Sequence, residues 1–335
     1  MKKEFDLVAI GDITTDAFIR LVDADVHCNL DRKACELCVE FGSKVPYESV
    51  TVVAGVGNCA NAAVSAARLG LSTALVTNQG YDDIGKEHLR VLTKEKVSTD
   101  FVKSHHDAKT NYHYVLWYHD ERTILVKHEH YKYVFPDIGS PKWLYLTSLG
   151  DQTQEYHDEI ARYLAAHPGI KLAFQPGTFQ INLGVKKLGA LYERSEIFFC
   201  NIEEAQKITG VGSADPYTLL LAVQKLGPKL VVLTDGPKGA YTLQGTDAWF
   251  MPPYPDPKPP YERTGAGDAF ASTFVSALAL GASTEDALRW APINSMSVVQ
   301  KIGAQSGLLK RRELETFLDK APKEYRPVKL KAPKK

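Results

Sequence analysis

The stretch YERTGAGDAFASTFVSALALG, residues 261–281, places three small residues and an aspartate directly before an apolar helix. Phe270, Phe274 and Leu278 recur at four-residue spacing, which predicts one buried helix face that ends near Gly281. The first turn of a helix has backbone N–H groups without intrahelical partners, and it carries partial positive charge. Small residues let an anion approach these groups closely. The stretch therefore predicts an anion site at the helix start.

Asp268 in this stretch has a structural and a functional interpretation. As an acid in the first turn, it can cap the helix or complement the helix dipole. In the functional interpretation, the backbone before it forms a nest for phosphate oxygens, and the carboxylate accepts a proton beside that nest. The residues of the nest are Thr264, Gly265, Ala266 and Gly267. A base next to an anion site is the arrangement that phosphoryl transfer requires, and the glycine run favours this interpretation.

Composition restricts the classes of partner. The chain has 335 residues, 44% of them apolar, and carries 40 Lys plus Arg against 40 Asp plus Glu. Because there is no net charge, nothing electrostatic favours a nucleic acid or an anionic membrane surface as a partner. The apolar run near the N-terminus is too short for a signal segment or a membrane span, and no later run reaches spanning length. We therefore expect a cytoplasmic protein.

Short apolar runs with β character alternate with helical patterns along the chain. This alternation is typical of βαβ units and predicts an α/β fold, with a mainly parallel sheet covered on both faces by helices. The predicted strands are Leu7–Ile10, Thr73–Val76, Trp143–Leu146, Leu172–Phe174, Ile197–Cys200 and Leu230–Leu233, and the predicted helices are 156–166, 185–194, 217–226 and 268–280.

Two stretches interrupt this alternation and predict a small β lid. Residues 14–50 mix polar and apolar residues without a long helix, and residues 109–128 contain two strands joined as a hairpin. We expect one domain over residues 1–322, with the lid drawn from about 14–50 and 105–133. The basic, proline-containing segment 323–335 is predicted to be disordered.

Three of the five cysteines, Cys28, Cys35 and Cys38, lie close together and next to His27. Cysteines with a histidine can hold zinc, but this spacing matches no standard zinc finger. Five cysteines in a chain of this length do not indicate a disulfide framework. We therefore predict buried, free thiols.

A glycine turn at Gly55 and Gly57 offers an alternative function. Together with Ala60 it is typical of the phosphate-binding turn of dinucleotide-binding enzymes, which would indicate an NAD-dependent oxidoreductase. The next strand ends with Asn78, where such a site usually has an acid for the ribose. The missing acid disfavours this alternative.

Two further motifs follow predicted strands, at the place where open α/β sheets bind ligands. Asn201 and Glu204 are three residues apart at a helix start, which fits either a capping box or a Mg²⁺ site with retained water. Thr234, Gly236 and Gly239 follow another strand, where they form a simple turn or line a nucleotide. The occurrence of these motifs in this order is a stronger signal than any one of them.

Taken together, residues 5–320 resemble the ribokinase/PfkB family of carbohydrate kinases. The run from Thr264 to Asp268 matches the family's C-terminal signature, which is specific. The other matches are Gly57, Asn61 and the following ARLG for the N-terminal signature, Asn201 and Glu204 for the magnesium and phosphate motif, Gly11, Asp12 and Asp16 for the opening strand and loop, and Gly303, Ala304, Gln305 and Gly307 for a late loop on the nucleotide side.

The resemblance implies a three-layer αβα fold with a β lid, and ATP-dependent phosphorylation of a sugar hydroxyl. By the family pattern, Asp268 is the general base, and the backbone of Gly265, Ala266 and Gly267 binds the charge of the transferring phosphoryl group. The implied substrate-binding residues are Asp12, Asp16, Gly57 and Asn61. The implied residues for ATP and Mg²⁺ are Asn201, Glu204, Thr234, Gly236, Gly239, Thr264, Asn294 and Gly303, with Asn201 and Glu204 holding the metal through water.

Two departures from the family pattern affect the expected cation and substrate. Many members have Asp where this chain has Arg263, and that Asp belongs to the site of an activating monovalent cation. We therefore expect reduced dependence on K⁺, while K⁺ binding through loop carbonyls stays an alternative. Val56 stands where the family often has the first of two glycines, so its side chain would crowd the sugar pocket.

The remaining expectations concern the substrate and the assembly. Asp16 with Asn61 suits a neutral polyol better than an anion, which favours a free sugar such as ribose or fructose over a nucleoside, with a phosphosugar third. The hairpin at 109–128 offers an apolar edge, which is compatible with a homodimer through the lid. A non-catalytic regulator on this fold would be expected to lack Asp268 or the Asn201 and Glu204 pair, and this chain keeps all three.

Overall fold

The computed structural model describes residues 4–29, 35–119 and 121–331. Within these ranges the strands β1 to β16 are, in chain order, Leu7–Ile10, Thr14–Leu21, Asp25–Cys28, Cys35–Cys38, Tyr47–Val56, Thr73–Gly80, Val97–His105, Tyr112–Tyr118, Glu121–Leu125, Trp143–Leu146, Lys171–Phe174, Ser195–Asn201, Leu230–Thr234, Ala240–Gln244, Asp247–Met251 and Val328–Lys329. The helices α1 to α10 are Asn58–Arg68, Asp83–Lys94, Gln154–Ala166, Thr178–Leu183, Val185–Arg194, Ile202–Thr209, Pro216–Gln224, Ala266–Ala279, Thr284–Val298 and Arg311–Asp319. None of the helices in these ranges is long and apolar enough to cross a membrane.

The larger sheet has ten strands in the order β16-β15-β14-β13-β12-β11-β10-β1-β6-β7. Neighbouring strands from β13 to β7 are parallel, whereas β14, β15 and β16 add antiparallel strands at one side. All the strands predicted from apolar runs belong to the parallel part. Their carboxyl ends therefore lie along one edge of the sheet, where ligands bind in folds of this kind.

Both faces of this sheet are buried, because strands such as β1 are apolar at every position. Leu7 and Ala9 pack with residues of α1, α8 and α9 in one core, while Val8 and Ile10 pack with residues of α3, α5 and α7 in another. Successive side chains of a strand point to opposite faces, which divides β1 between the two cores. The predicted three-layer αβα arrangement is confirmed.

A second sheet of four strands, in the order β5-β2-β8-β9, forms the lid. Strand β2 pairs antiparallel with β5 and parallel with β8, and β9 completes the hairpin with β8. These strands come from the two stretches predicted for the lid, although β5 continues to Val56, past the predicted boundary.

The strand register divides the lid into an inner and an outer face. Asp16 lies opposite Val53 and His113, and this row belongs to the inner face, where Val53 lies against the loop at Gly303. The next row, which contains Val52, belongs to the outer face because successive residues alternate. Asp16 and His113 therefore face the larger sheet.

The prediction of buried, free thiols is wrong in both respects for Cys28 and Cys35, and for Cys38 it is right about the free thiol and wrong about full burial. Cys28 and Cys35 form a disulfide across the hairpin of β3 and β4, where antiparallel register places them opposite each other. Cys38 is a free, partly exposed thiol. In the parts of the chain that the structure describes, no group of three or more His, Cys, Asp or Glu is placed to hold a metal ion. The pairing depends on strand register, which the spacing of the cysteines does not reveal.

The predicted disorder of residues 323–335 is not found where this segment is described. Val328 and Lys329 form β16 at the side of the larger sheet. Tyr325 is buried, and its hydroxyl donates a hydrogen bond to the carbonyl oxygen of Arg289 at 2.6 Å. Packing of one aromatic residue and a short strand therefore orders residues 323–331, and the last four residues lie outside the described ranges.

Candidate active site

The turn before α8 requires glycine at position 265. Gly265 has a φ of 80°, in the left-handed region, and occupies the N-cap position of α8. A Cβ at this position would lie 2.3 Å from the Cβ of Ala304, so a larger residue would displace that loop. Ala266 and Gly267 then open the helix, with N–H groups that have no intrahelical partner. The structure thus places the predicted nest at a helix N-terminus.

Asp268 lies in the first turn of α8 and is 9% exposed. Its Oδ2 accepts a hydrogen bond from Nδ2 of Asn61 at 2.8 Å, and its Oδ1 accepts one from Nε2 of Gln175 at 3.4 Å. Tyr145 donates its hydroxyl to Oε1 of Gln175, which turns the amide NH₂ group toward Asp268. Among the described residues, both carboxylate oxygens thus have amide donors, and none of the ion pairs involves Asp268.

Burial raises the pKa of Asp268 from its ordinary value to about 6. The hydrogen bonds from Asn61 and Gln175, and the positive charge of Arg122, oppose this rise because they stabilise the ionised form. A carboxylate with this pKa is mostly ionised at pH 7 and is a better proton acceptor than an exposed aspartate. This is the property expected of a general base.

A cleft of about 240 Å³ opens beside the start of α8. Ala266 and Gly267 line it together with Thr234, Gly236 and Gly239, the three residues predicted to contact a nucleotide. The lining also includes the apolar side chains of Phe270, Met296 and Val299. The structure therefore brings the anion-binding turn and the glycines after β13 into one cavity with an apolar wall.

Asn294 does not contribute its side chain to this cleft, which corrects the expectation that it contacts ATP. Its Nδ2 donates to Oγ1 of Thr273 at 2.8 Å, and its Oδ1 accepts a hydrogen bond from the Leu309 N–H at 2.9 Å. The side chain is fully buried. Residues of another face of α9, such as Ser295 and Met296, line the cleft instead. Helix periodicity, which a local motif does not report, decides this orientation.

Asn201 and Glu204 form a reciprocal capping box at the start of α6. Oδ1 of Asn201 accepts from the N–H of Glu204, and Oε2 of Glu204 accepts from the N–H of Asn201, both at 2.8 Å. Asn201 lies beside Thr234 in the register of β12 and β13, so the pair borders the cleft. Burial raises the pKa of Glu204. Within the described residues, the second oxygen of its carboxylate has no hydrogen-bond donor, which fits a Mg²⁺ ion that keeps water and phosphate oxygens as its other ligands.

The carboxylate of Asp12 is occupied by protein donors. The Tyr133 hydroxyl donates to Oδ1 at 2.9 Å, and the Gly150 N–H donates to Oδ2 at 2.7 Å. Nδ1 of His128 lies 3.0 Å from the same Oδ2. Asp12 thus holds the segment after β9 against the end of β1. The prediction that Asp12 binds a substrate hydroxyl is not supported, because protein groups already contact both of its carboxylate oxygens.

Asp16 and His113 form a polar pair on the inner face of the lid. In contrast to Asp12, this pair has polar atoms without a hydrogen-bond partner among the described residues. Nδ1 of His113 lies 3.5 Å from Oδ1 of Asp16. This oxygen and Nε2 of His113 are both buried without a hydrogen-bond partner in the described residues. The ring of His128 lies 5.5 Å from that of His113 and 5.2 Å from that of Phe179. Unpaired buried polar atoms point to a ligand that completes their hydrogen bonds.

Gly57 and Asn61 have internal roles in the structure. Gly57 has a φ of 106°, and a Cβ there would lie 2.5 Å from the carbonyl oxygen of Asp12. Oδ1 of Asn61 accepts a hydrogen bond from Nε2 of Gln305 at 3.1 Å, while its Nδ2 donates to Asp268. Gly57 therefore lets α1 approach the end of β1, and Asn61 orients the carboxylate of Asp268.

Glu262 is a residue of the site that the sequence analysis missed. It is 2% exposed, and its Oε1 accepts hydrogen bonds from the N–H of Thr264 at 2.6 Å and from the Thr264 hydroxyl. Its Oε2 accepts one from the N–H of Gly303 at 3.4 Å. Thr264 and Gly303, both predicted to contact the nucleotide, are therefore joined by one carboxylate.

Gln175 is a second residue of the site that the sequence analysis missed. Its position could have indicated a role, because it directly follows the predicted strand that ends at Phe174.

A buried carboxylate at a helix start, next to a glycine-rich turn and a cleft with an apolar wall, is the arrangement expected of a small-molecule kinase. Residues 24–311 match the pfkB family of carbohydrate kinases, and the chain belongs to this family. This membership confirms the predicted family and removes the basis of the oxidoreductase alternative.

Comparisons with individual proteins agree with this family. The ribokinase of Mus musculus is 27% identical over 281 residues, which cover 78% of this chain and 83% of that protein. The Methanocaldococcus jannaschii nucleoside kinase superposes with a TM-score of 0.79 at 18% identity, covering 95% of this chain and 99% of the other. The Arabidopsis thaliana ribokinase complexed with ribose and ATP superposes with a TM-score of 0.76 at 21% identity, covering 94% and 99%. Both structures share the fold.

The raised pKa of Asp268 predicts the acid limb of the pH–rate profile. A general base works only when it is ionised, so if Asp268 has the role expected from the sequence, kcat/KM should rise with pH through an apparent pKa near 6 and level off above it. Gln175→Ala removes a hydrogen bond that lowers this pKa, so the limb should move to higher pH. Steady-state rates between pH 4.5 and 9 check this.

The control is Gln224→Ala, which removes a side-chain amide that donates to the Gly245 carbonyl oxygen far from the site. This variant should leave the acid limb of the profile in place. An equal shift of the limb in both variants would contradict the assignment.

Proposed function

We propose that this protein transfers the γ-phosphoryl group of ATP to a hydroxyl of a neutral sugar, with Asp268 as the general base. The observation that carries the proposal is the carboxylate of Asp268, which is buried at the start of α8 and held by two amides instead of a cation. An acid that only capped the helix would not need donors from two other elements. The alternative of a non-catalytic regulator does not explain this arrangement.

The chemistry follows from the positions of the groups. The sugar oxygen forms a bond to the γ-phosphorus, its proton passes to Asp268, and the bond from phosphorus to the β-γ bridging oxygen breaks to release ADP. In this proposal the N–H groups of Ala266 and Gly267, at the start of α8, bind the charge on the equatorial phosphoryl oxygens. In the structure the Ala266 N–H donates to the carbonyl oxygen of Arg263 at 3.4 Å, a long contact that a phosphoryl oxygen would replace. The apolar wall of the cleft suits a nucleobase. Asn201 and Glu204 would hold Mg²⁺ through water, and the metal would supply positive charge for the phosphate oxygens.

A neutral acceptor fits the substrate end better than a phosphorylated one. The unpaired atoms there belong to Asp16 and His113, next to the buried carboxylate of Asp12. A carboxylate accepts hydrogen bonds from sugar hydroxyls, whereas it repels a phosphate group. The paired rings of His113 and His128, with Phe179, also offer edges and faces to a nucleobase, which keeps a nucleoside as the second candidate.

The test of this proposal is an acceptor panel. Release of ADP from Mg–ATP is measured with pentoses, hexoses, nucleosides and sugar phosphates, and we expect turnover with the free sugars. Asp268→Asn should lower kcat by about 10²- to 10⁴-fold with little change in ATP binding, because only the proton acceptor is lost. The matched control is Asp286→Asn, another aspartate in the first turn of a helix, which should keep its activity.

The panel separates the alternatives. Turnover with nucleosides alone would favour the second candidate, and turnover with sugar phosphates alone would contradict a neutral acceptor. An Asp268→Asn variant with an undiminished rate would contradict the role of the base. Absence of turnover together with absence of ATP binding would favour a regulator.

We further propose that activity depends little on K⁺. Arg263 is exposed and lines the cleft, where its charge also acts on Asp256. A fixed cation at this position supplies positive charge near the nucleotide phosphates. Titration with KCl at constant ionic strength, set with tetramethylammonium chloride, should therefore change kcat little, whereas strong activation by K⁺ would contradict this proposal.

We also propose that two copies pair through the outer face of the lid. The exposed apolar side chains of this face are Val50, Val52, Tyr114 and Leu125. Val52, Tyr114 and Leu125 belong to one row of the sheet, with the small, buried Ala17 of β2 between Val52 and Tyr114, and Val50 lies two residues along β5 on the same face. They therefore form a patch and are not scattered residues. Burial of such a patch against a second copy removes apolar surface from water.

Sedimentation analysis tests this assembly. The wild type should sediment as a dimer, and Val52→Asp should give a monomer because a charge would be buried in the interface. Leu221→Asp, which changes an exposed apolar residue of α7, is the control and should leave the dimer intact. A monomeric wild type, or equal effects of both variants, would overturn the assignment.

A further inference from the structure

The inner face of the lid contacts the segment directly before the anion-binding turn, and we propose that this junction positions the turn for phosphoryl transfer. We call it the latch and define it as Arg20, Trp117 and Arg122 of the lid with Tyr261 and Glu262 of the segment. In this proposal Glu262 and Arg122 are positioning residues that act through Thr264 and Gly303 and do not react themselves. The inference rests on the proposed kinase function and adds to it how the lid acts on the phosphate site.

The lid half of the latch is a row of three side chains across β2, β8 and β9. Arg20 lies opposite Trp117, and Trp117 lies opposite Arg122. The guanidinium of Arg20 lies 4.8 Å from the centre of the Trp117 ring and donates to the Tyr261 hydroxyl at 3.3 Å. The Trp117 ring meets that of Tyr261 edge-on at 5.1 Å, and Trp117 is 4% exposed. The lid thus contacts Tyr261 through Arg20 and the buried Trp117, while Tyr261 itself stays 45% exposed.

The other half of the latch holds the turn itself. The N–H groups of Tyr261 and Glu262 both donate to the carbonyl oxygen of Val299, which fixes the segment on the end of α9. The carboxylate of Glu262 then joins Thr264 to Gly303, as described above. Gly265, the N-cap residue of α8, directly follows Thr264 in the chain. A shift of Glu262 would therefore move the N–H groups that face the phosphate.

The contact between the two halves is incomplete. Nε of Arg122 lies 3.7 Å from Oε1 of Glu262, which is an ion pair but is too long for a hydrogen bond. Nε is also buried, with no hydrogen-bond partner in the described residues. A small movement of the lid would close this contact, and a buried charge-assisted hydrogen bond between these groups would be short and strong. The positive charge of Arg122 also opposes the rise in the pKa of Asp268.

The same lid strands carry the proposed acceptor contacts. Asp16 and Arg20 are both on β2, four residues apart, and therefore on the same face. His113 and Trp117 have the same relation on β8. Binding of an acceptor at Asp16 and His113 therefore fixes the two strands that also carry the latch. This gives the lid a second role besides covering the acceptor.

Fluorescence of Trp117 tests the latch without catalysis. The probe is Mg–AMP-PNP, whose binding is measured separately by calorimetry, and the contribution of Trp117 is the difference between the wild type and Trp117→Phe. We expect nucleotide binding to change this contribution in the wild type, and the change to be lost in Arg122→Gln and Glu262→Gln. Arg90→Gln, which breaks the exposed ion pair with Glu87, is the control and should keep the change.

The outcomes of this experiment are distinct. A Trp117 signal that persists in Arg122→Gln and Glu262→Gln, or that is absent from a wild type that binds Mg–AMP-PNP, overturns the latch and leaves the kinase function standing. A wild type that does not bind Mg–AMP-PNP overturns the proposed function and this inference with it.

Kinetics with the acceptor identified by the panel separate positioning from stability. Because a misplacement of about 1 Å costs about 10²-fold in rate, Glu262→Gln should lower kcat by about 10- to 100-fold. Arg122→Gln should lower kcat as well, Arg122→Lys should restore part of it, and melting temperatures should stay near that of the wild type. The double variant should be no slower than Glu262→Gln, since both residues act through one contact. Additive losses, or losses that follow the melting temperature, would show a structural role only and overturn the proposal.

Discussion

The burial of the Asp268 carboxylate at the start of α8 is the constraint on which the rest of the site depends. An ionised carboxylate that leaves water needs donors, and here they come from Asn61 on α1 and from Gln175 at the end of β11, together with the positive end of the helix dipole. Three elements that are distant in sequence must therefore meet at one point. The αβα sheet achieves this because its parallel strands end at one edge, where α1 and α8 also begin.

The pKa of Asp268 depends on whether its carboxylate is held by amide donors or by a cation. A buried ion pair would hold the pKa low and leave a weak base, whereas burial with only amide donors raises the pKa of Asp268 to about 6. Asn61 and Gln175 are in turn oriented by Gln305 and Tyr145. This second set of contacts keeps the amide NH₂ groups turned toward the carboxylate, so the basicity and the orientation of Asp268 have the same structural cause.

The lid illustrates how strand alternation separates functions within a few residues. Even-numbered positions of β2, such as Asp16 and Arg20, face the larger sheet, and the row that contains Val52 faces away from it. Within the part of the chain that the structure describes, the inner face carries buried polar atoms without partners, as expected where a ligand binds. The outer face carries exposed apolar side chains, such as Val52 and Tyr114, and is the face proposed here to pair with a second copy.

The sequence by itself determined the central strands, the helix that follows Gly265 and the family, because these depend on local patterns: fully apolar runs, four-residue spacing and a contiguous motif. The tertiary structure alone decided the partners of each side chain. Asp12 and Asn61 have internal partners, Asn294 faces Thr273 instead of the cleft, Cys28 pairs with Cys35, and Glu262 joins Thr264 to Gly303. The physical reason is that hydrogen bonds, ion pairs and disulfides form between atoms that strand register and helix packing bring together, and these distances are not encoded in spacing along the chain.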